Sequence, residues 1–384
     1  MLKAKLIVIT ALAGLVGTAI ADRRNEARAI SSERALYVGT YTGATSRGIY
    51  AFRFDDSSGG LTPLGLAAQT PSPSFLTSSA NGRLVFAVNE LQSFRGAASG
   101  SVTSFAVDPV TAKLTEISVQ PSRGAGPCHL ALDRTGRYLA VANYAGGNFA
   151  LFPVAADGRL QPATSVVAGD ASRPGRSTPA TRLGHMVEFE MHNRFLLAAD
   201  KGLDELLVYR FDASTGALTP NRPPSAELPP GSGPRHFAFH PSKNWLFAIN
   251  ELASTITTLS WDETSGTLTP SGSVSTRPAD VATGTTAEIA VHPNGRFVYG
   301  SNRGHDSIAV FSVGEGGALT LVQYQSTRGK TPRHFALDPT GRWLIAANQE
   351  SGTLAVFSID QNTGRLSPVG PLTMVGSPVN ILFM

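Results

Sequence analysis

A unit whose first and last residues lie sixteen positions apart recurs six times along this chain of 384 residues. It begins with Pro-x-His or a related triplet, continues as an apolar strand, a polar turn and a second apolar strand, and ends on a polar residue. The clearest copies are PCHLALDRTGRYLAVAN (127–143), PRHFAFHPSKNWLFAIN (234–250) and PRHFALDPTGRWLIAAN (332–348), and looser copies occupy 73–89, 184–200 and 286–302. Such self-similarity indicates an architecture built from repeats.

A second unit, an apolar strand followed by an Asp- and Gly-containing turn and Gly-x-Leu-Thr-Pro or a relative, accompanies the first. Its leucine occurs seven times at spacings of 46 to 58 residues, as Leu61, Leu114, Leu160, Leu218, Leu268, Leu319 and Leu366. Each period therefore holds four short strands, which is the content of one propeller blade. The sequence predicts an all-β, seven-bladed β-propeller with four antiparallel strands in each blade.

One blade lacks an inner strand, because there are seven second units and six first units. The C-terminal segment Ser377–Phe383 can supply this strand beside Leu36–Gly39 from the N-terminal side. Pairing the two ends of the chain closes the ring and removes its free edges. A β-sandwich or β-helix would not produce a period near fifty with four strands per unit, so we assign residues 35–384 to the propeller.

The first twenty-one residues have the pattern of an export signal. Lys3 and Lys5 precede an apolar stretch over 6–20, and Ala19-Ile20-Ala21 is a small-x-small cleavage pattern. A retained membrane anchor is the alternative, although the apolar stretch is short for a bilayer. We predict cleavage after Ala21, a linker over 22–34, and a periplasmic or secreted protein with no membrane association after cleavage.

The charge of the chain argues against a nucleic-acid partner, and its cysteine content excludes an internal disulfide. Without Lys3 and Lys5 the formal net charge falls from +4 to +2, and no basic tract remains, so nucleic acid is not an expected partner. Cys128 is the single cysteine, which precludes an internal disulfide, and we expect it to be a small buried residue. A monomer or weak homodimer is expected.

Propeller geometry brings certain positions together at one mouth of the central channel. The start of each inner strand and the end of each second strand lie at the same end of a hairpin. The repeated asparagines at the strand ends are interpreted as structural caps, and the repeated histidines at 129, 236 and 334 leave both roles open. Residues that break the repeat are the better functional candidates, since they place charge or an unmatched histidine there: His185, Arg235, Glu251, Arg303 and Arg333.

Several stretches resemble the lactonase-propeller family, which includes the propeller type of 6-phosphogluconolactonase and the fungal carboxymuconate cyclases. They include YVGTYTGATSRGIYAFRFD, SGPRHFAFHPSKNWLFAINELASTITTLSW and TPRHFALDPTGRWLIAANQESGTLAVFSID, and the resemblance covers about residues 35 to 384. It implies a site of His185, Arg235, Glu251 and Arg303. Leu183 stands where the family has the first histidine of His-x-His, and the connection 169–182 also departs from the family pattern.

These residues suggest hydrolysis of a sugar lactone. We expect Glu251 to be the general base and His185 and Arg235 to polarise the ring carbonyl. The expected substrate-binding residues are Arg303, Arg333, His236, His334 and Glu288. No cofactor or metal is predicted, and the Gly-x-Ser-x-Gly and His-Glu-x-x-His signatures do not occur. Two alternatives remain open, which are cycloisomerisation of a muconate and a non-catalytic binding propeller.

Overall fold

The computed structural model describes residues 33–172 and 181–384. These residues form twenty-eight β-strands in seven four-stranded antiparallel sheets, with one 3-10 turn at Glu315–Gly317. The predicted signal peptide lies outside the described residues, as does the predicted linker except for its last two residues, with which the first strand begins. No helix in the described part of the chain is long and apolar enough to cross a membrane.

The strands of the first four blades follow the chain order, except that blade 1 takes its innermost strand from the C-terminus. Blade 1 contains β1 (Glu33–Thr40), β2 (Gly48–Asp55), β3 (Leu61–Gln69) and β28 (Pro378–Phe383). Blade 2 contains β4 (Phe75–Ser78), β5 (Leu84–Asn89), β6 (Ser101–Val107) and β7 (Leu114–Pro121). Blade 3 contains β8 (Pro127–Leu132), β9 (Tyr138–Asn143), β10 (Asn148–Pro153) and β11 (Ser165–Val167). Blade 4 contains β12 (Gly184–Phe189), β13 (Phe195–Asp200), β14 (Glu205–Asp212) and β15 (Ala217–Glu227).

The last three blades repeat the same order from the channel outwards. Blade 5 contains β16 (Pro234–Phe239), β17 (Trp245–Asn250), β18 (Thr255–Asp262) and β19 (Thr267–Ser275). Blade 6 contains β20 (Thr285–Val291), β21 (Phe297–Arg303), β22 (Ser307–Val313) and β23 (Leu319–Ser326). Blade 7 contains β24 (Pro332–Leu337), β25 (Trp343–Asn348), β26 (Thr353–Ile359) and β27 (Leu366–Met374). The innermost strands contact one another in a closed circle, which confirms the predicted seven-bladed propeller.

The two ends of the propeller pair within blade 1, as the sequence predicts. β28 lies antiparallel to β1, with Val38 opposite Ile381 and Gly39 opposite Asn380. The ring therefore has no open edge between its first and last blades.

The hydrophobic core is divided into seven clusters, one between each pair of neighbouring blades. Between blades 3 and 4, for example, Phe149 and Leu151 pack against Val187 and Leu196, all fully buried. The apolar strands of the repeat follow from this arrangement, because both faces of each sheet are covered by a neighbouring sheet. Burying one such side chain stabilises the fold by about 1.5–3 kcal/mol.

A bulge near the start of the inner strands positions several of the predicted site residues. In blade 3, Pro127 pairs with Asn143 and His129 with Ala142, so Cys128 is an extra residue on its strand. The same shift in register makes extra residues of His185, Arg235 and Arg333. A bulge re-aims side chains and is common beside binding sites. The bulge residues and those that follow them surround the mouth of the channel.

Candidate active site

Glu251 is the centre of a charged cluster contributed by three blades. It follows β17 directly, and its Oε2 lies 3.1 Å from Nε of Arg235 on β16 and 3.2 Å from Nη2 of Arg303 at the end of β21. Its Oε1 lies 2.6 Å from Nζ of Lys201, which follows β13. The carboxylate is 12% exposed, so these ion pairs are largely screened from solvent. One acid thus joins cations from blades 4, 5 and 6.

The surroundings of Glu251 favour its ionised form. Burial raises the pKa of this carboxyl, but the charges of Arg235, Arg303 and Lys201 outweigh burial and lower the pKa to about 2. Burial, with the like charges of Arg333 and Arg303, lowers the pKa of Arg235 to about 10, which still leaves it protonated at neutral pH. The cluster therefore presents a carboxylate and several charged donors to the mouth.

His185 lies beside this cluster as a neutral imidazole. It is buried, and its ring lies 5.5 Å from that of Tyr144 and 5.0 Å from that of His236. Burial and the charge of Arg235 hold its pKa well below the ordinary value. The thiol of Cys128 donates a hydrogen bond of 3.3 Å to the backbone carbonyl of His185.

Cys128 is a buried thiol, as expected from the sequence. It is free and 5% exposed. Burial raises its pKa far above the ordinary value, so it stays protonated and is a poor nucleophile. Its place in the structure is a packing contact with blade 4.

His236 and His334, which follow their bulges, and Glu288, which lies within the register shift of β20, form a buried floor beneath the mouth. Nδ1 of His236 lies 3.0 Å from Oε2 of Glu288, and Nε2 of His334 lies 3.4 Å from the same oxygen. Nη1 of Arg235 lies 3.3 Å from Nε2 of His236. Since Nδ1–H of His236 donates to Glu288, its Nε2 is free to accept from Arg235. The floor therefore orients Arg235 from below.

Protonation of the floor follows from its burial. Burial raises the pKa of Glu288, and it lowers the pKa of His236 far below the ordinary value and that of His334 to about 4. Two neutral imidazoles consequently act as hydrogen-bonding groups at neutral pH. Among the described residues, no three His, Cys, Asp or Glu side chains are placed to coordinate one metal ion.

Arg333 occupies the opposite side of the mouth from Lys201. Its guanidinium lies 5.4 Å from the centre of the Tyr41 ring, and the Tyr41 hydroxyl donates a hydrogen bond of 2.9 Å to Glu90. Within residues 33–172 and 181–384, the guanidinium of Arg333 has no hydrogen bond or ion pair. Among the arginines of the mouth that the structure describes, Arg333 alone is available to a ligand without displacing an acid.

All eight predicted site residues meet at this mouth or on its floor. A narrow cleft is lined by five of them, Arg235, His236, Glu288, Arg333 and His334. Glu251 and Arg303 adjoin the cleft through Arg235, and His185 through His236. The prediction that the unlike charges share one opening is consistent with this geometry, whereas the catalytic and binding roles stay predictions.

Some residues of the mouth were not singled out from the sequence. Lys201 and Glu90 follow the second strands of their blades, as Glu251 does, and this shared register places them at the mouth, although they are not among the predicted site residues. Ser74 is equivalent to Arg235 in the repeat. Tyr41 lies in a loop outside the repeated units, so no repeat position identifies it.

The repeated asparagines are structural, as interpreted from the sequence. The side-chain amides of Asn143, Asn302 and Asn348 donate to backbone carbonyls of the connection that precedes each blade, to Ser122 at 2.9 Å, Thr276 at 2.7 Å and Thr327 at 3.0 Å. These bonds hold the connecting loops against the strand ends. Asn250 instead donates to the hydroxyls of Thr255 and Thr257 in its own blade.

A larger groove of about 640 Å³ lies between blades 1 and 7, outside the channel. Its lining includes Tyr50, Phe52, Glu350 and Met374, and none of the predicted site residues. We place the candidate site at the mouth because buried charges and perturbed pKa values converge there.

Comparison with known proteins agrees with this geometry. Residues 35–383 match the model of the family described as "Lactonase, 7-bladed beta-propeller". The chain belongs to this family. A 6-phosphogluconolactonase of Bacillus subtilis is 35% identical over 352 residues, which cover 91% of this chain and 97% of the relative. A 6-phosphogluconolactonase of Formosa agariphila is 30% identical over 308 residues, with 78% and 85% covered.

A solved structure adds a periplasmic lactonase to these relatives. The periplasmic gluconolactonase of Pseudomonas aeruginosa is 33% identical to this chain and superposes with a TM-score of 0.84. The match covers 91% of this chain and 99% of that protein. The lactonase-propeller relatives therefore include both a sugar-phosphate lactonase and a periplasmic gluconolactonase.

Proposed function

We propose that this protein hydrolyses sugar lactones at the mouth of its channel. The observation that carries this proposal is the ionised Glu251, buried among Arg235, Arg303 and Lys201, in a chain whose relatives are named lactonases. Opening a lactone requires a base for the attacking water and donors for the oxyanion that forms on the carbonyl oxygen. The mouth contains both kinds of group within one cluster.

In the proposed reaction, Glu251 accepts a proton from water as its oxygen adds to the carbonyl carbon, while Arg235 and His185 donate hydrogen bonds to the carbonyl oxygen. The ring C–O bond then breaks, and Glu251 returns the proton to the alkoxide to give the open hydroxy acid. A pKa of about 2 makes Glu251 a weak base as long as all three cations contact it. When Arg235 turns to the substrate carbonyl, it lowers the pKa of Glu251 less, and the carboxylate becomes more basic. Substrate binding thus couples oxyanion stabilisation to activation of water.

The proposed binding residues differ in how readily they can contact a substrate. Arg303 donates to the Thr286 carbonyl at 2.8 Å and pairs with Glu251, so it contacts a substrate only beside that acid. Arg333 is the cation available to a polar substituent. His236, Glu288 and His334 act from the floor, where His236 and Glu288 support Arg235.

A panel of five- and six-membered aldonolactones, with and without a phosphate, tests the proposal. The expected result is acid release faster than the spontaneous opening of at least one lactone, with label from oxygen-18 water in the product. Cycloisomerisation of a muconate would introduce no label, and a non-catalytic binding propeller would leave the spontaneous rate unchanged. The relatives named as lactonases support hydrolysis over both alternatives.

We further propose that the protein is exported and cleaved after Ala21. The leader pattern of residues 1–21 and the periplasmic relative from Pseudomonas aeruginosa support this location. Amino-terminal sequencing of the mature protein should begin at Asp22, and a protein that retains Met1 would contradict cleavage. Size-exclusion chromatography of the same sample tests the expected monomer or weak homodimer.

A further inference from the structure

The cleft beneath the mouth is small and polar. Its volume is about 10 Å³, which is room for about one water-sized group. Its wall includes Ser74, Glu90, Arg235 and Arg333. None of the interactions assigned above to the reacting carbonyl involves Ser74 or Glu90, so this part of the wall needs another explanation.

Two of these side chains lack the partners that buried polar groups normally have. Ser74 is 4% exposed, and its hydroxyl oxygen has no hydrogen-bond partner in the described part of the chain. Arg333 is half-buried, and its guanidinium contacts the Tyr41 ring but has no hydrogen bond there. Glu90 accepts one hydrogen bond, from Tyr41, and no cation of the described residues lies within 4.0 Å of it. Buried polar groups are normally hydrogen-bonded, so this set indicates a polar ligand.

The chemistry of the wall selects the kind of ligand. Glu90 accepts hydrogen bonds, Arg333 donates them, and Ser74 can do either. A hydroxyl group satisfies all three and is about the size of a water molecule. A phosphate monoester carries about −1.5 to −2 charges and three terminal oxygens, so it would exceed the space and face the carboxylate of Glu90.

We propose that Ser74, Glu90 and Arg333 form a hydroxyl subsite, and that Glu90 selects an unphosphorylated aldonolactone over its phosphate ester. This inference rests on the proposed lactonase function and names its substrate class. Arg333 alone would attract a phosphate through its guanidinium. Glu90 on the same wall offsets that attraction, because a like charge close to a bound anion weakens binding.

The kinetic test compares glucono-1,5-lactone with its 6-phosphate. The wild-type protein should have a kcat/KM at least about tenfold higher for the unphosphorylated lactone, which corresponds to about 1.4 kcal/mol. Glu90→Gln keeps an acceptor for Tyr41 but removes the charge, and it should shift the ratio of the two kcat/KM values about tenfold towards the phosphate. Ser74→Ala should raise KM for the unphosphorylated lactone several-fold with little change in kcat.

Glu350→Gln is the matched control, because Glu350 is exposed on the outer groove and does not line the cleft. It should leave the ratio unchanged. A wild-type preference for the 6-phosphate, or equal effects of Glu90→Gln on both lactones, would overturn the hydroxyl subsite while the lactonase function stands.

Binding of a non-reacting ring separates the subsite from the reaction. Calorimetry with 1,5-anhydroglucitol and its 6-phosphate should show tighter binding of the unphosphorylated ring, and Glu90→Gln should narrow that difference. This result without any lactone hydrolysis would reject the proposed function and still support the subsite. Tighter binding of the 6-phosphate, or no binding of either ring, would reject the subsite.

Discussion

Blades 3 and 5 are built from the same repeat but contribute different chemistry. In both, a proline pairs with the final asparagine and the next residue is extra on its strand, so Cys128 and Arg235 occupy equivalent positions. The residues after the asparagines, Tyr144 and Glu251, are equivalent as well. Blade 3 contributes a buried thiol and an aromatic ring, whereas blade 5 contributes an ion pair of 3.1 Å. The backbone thus sets the positions, and single substitutions decide which of them carry charge.

The largest expected effect is at Glu251. Glu251→Gln removes the base and leaves three cations around a neutral amide. The kcat/KM for the preferred lactone should therefore fall about 10²–10⁴-fold. Initial-rate kinetics measure this, and circular dichroism should show an unchanged β-sheet spectrum. Tyr144→Phe, at the equivalent position of blade 3, should retain most of the activity. Near-normal turnover of Glu251→Gln would reject its role as the base.

A second comparison uses the two bulge residues. Arg235→Gln removes a charged donor from the developing oxyanion, and kcat should fall about 10²–10³-fold. Cys128→Ser changes the equivalent position of blade 3 and should change kcat less than about threefold, since the thiol contacts the backbone carbonyl and the ring Nδ1 of His185 and a serine hydroxyl can make both hydrogen bonds. Losses of equal size in the two variants would show that the blades are not chemically distinct.

Acid sensitivity should separate the ion pair from the buried histidines. The pKa of Glu251 is lowered from 4.5 to about 2, so its stabilisation of about 3 kcal/mol is present above pH 4.5 and is lost as the pH falls towards 2. The pKa of His334 is lowered from 6.5 to about 4, so between these pH values the unfolded chain binds a proton that the folded protein does not. The free energy of unfolding therefore falls as the pH is lowered from 6.5 to 4. Urea unfolding of Glu251→Gln should retain the loss between pH 6.5 and 4 but show a smaller loss below pH 4.5 than the wild type. If the free energy of unfolding fell equally with pH below 4.5 in the variant and the wild type, the acid sensitivity in that range would not be due to Glu251.

The smallest effect on activity is expected at the asparagine that ends the second strand in both blades. Asn143→Ala removes the hydrogen bond to the Ser122 carbonyl and should lower the free energy of unfolding by about 1–3 kcal/mol. Because the amide supports a loop and not the reacting groups, kcat/KM should stay within about threefold of the wild type. Denaturant unfolding and initial-rate kinetics on the same sample check both parts. A loss of activity without a loss of stability would assign Asn143 to the site.

The propeller itself could be predicted from the sequence, because its core repeats with the chain. Each blade needs the same apolar alternation and the same turns, so seven copies of Leu at near-regular spacing indicate the blade count. Closure also follows from counting, since one inner strand is missing until Ser377–Phe383 is assigned to it. These inferences need only local patterns and their period.

The site could be predicted only in part. Charged departures from the repeat indicated Arg235, Glu251 and Arg303, but the pairing of Glu251 with Lys201 depends on the distance between neighbouring blades. The division of the mouth into a reactive rim and a buried floor is likewise invisible in the sequence. Arg235 is the extra residue of its bulge whereas His236 is paired again, and this difference in register sets which neighbours each side chain meets.

The pairing of β28 with β1 brings residues of β28 to the cleft at the mouth of the channel. Asn380 lies 3.2 Å from His334 through its amide nitrogen and accepts from the Leu76 backbone, and Val379 lines the cleft. A variant that lacks Pro378–Phe383 would lose both the inner strand of blade 1 and a neighbour of the cleft. Closure of the ring and completion of the cleft thus depend on the same strand, and such a variant should be inactive as well as susceptible to proteolysis.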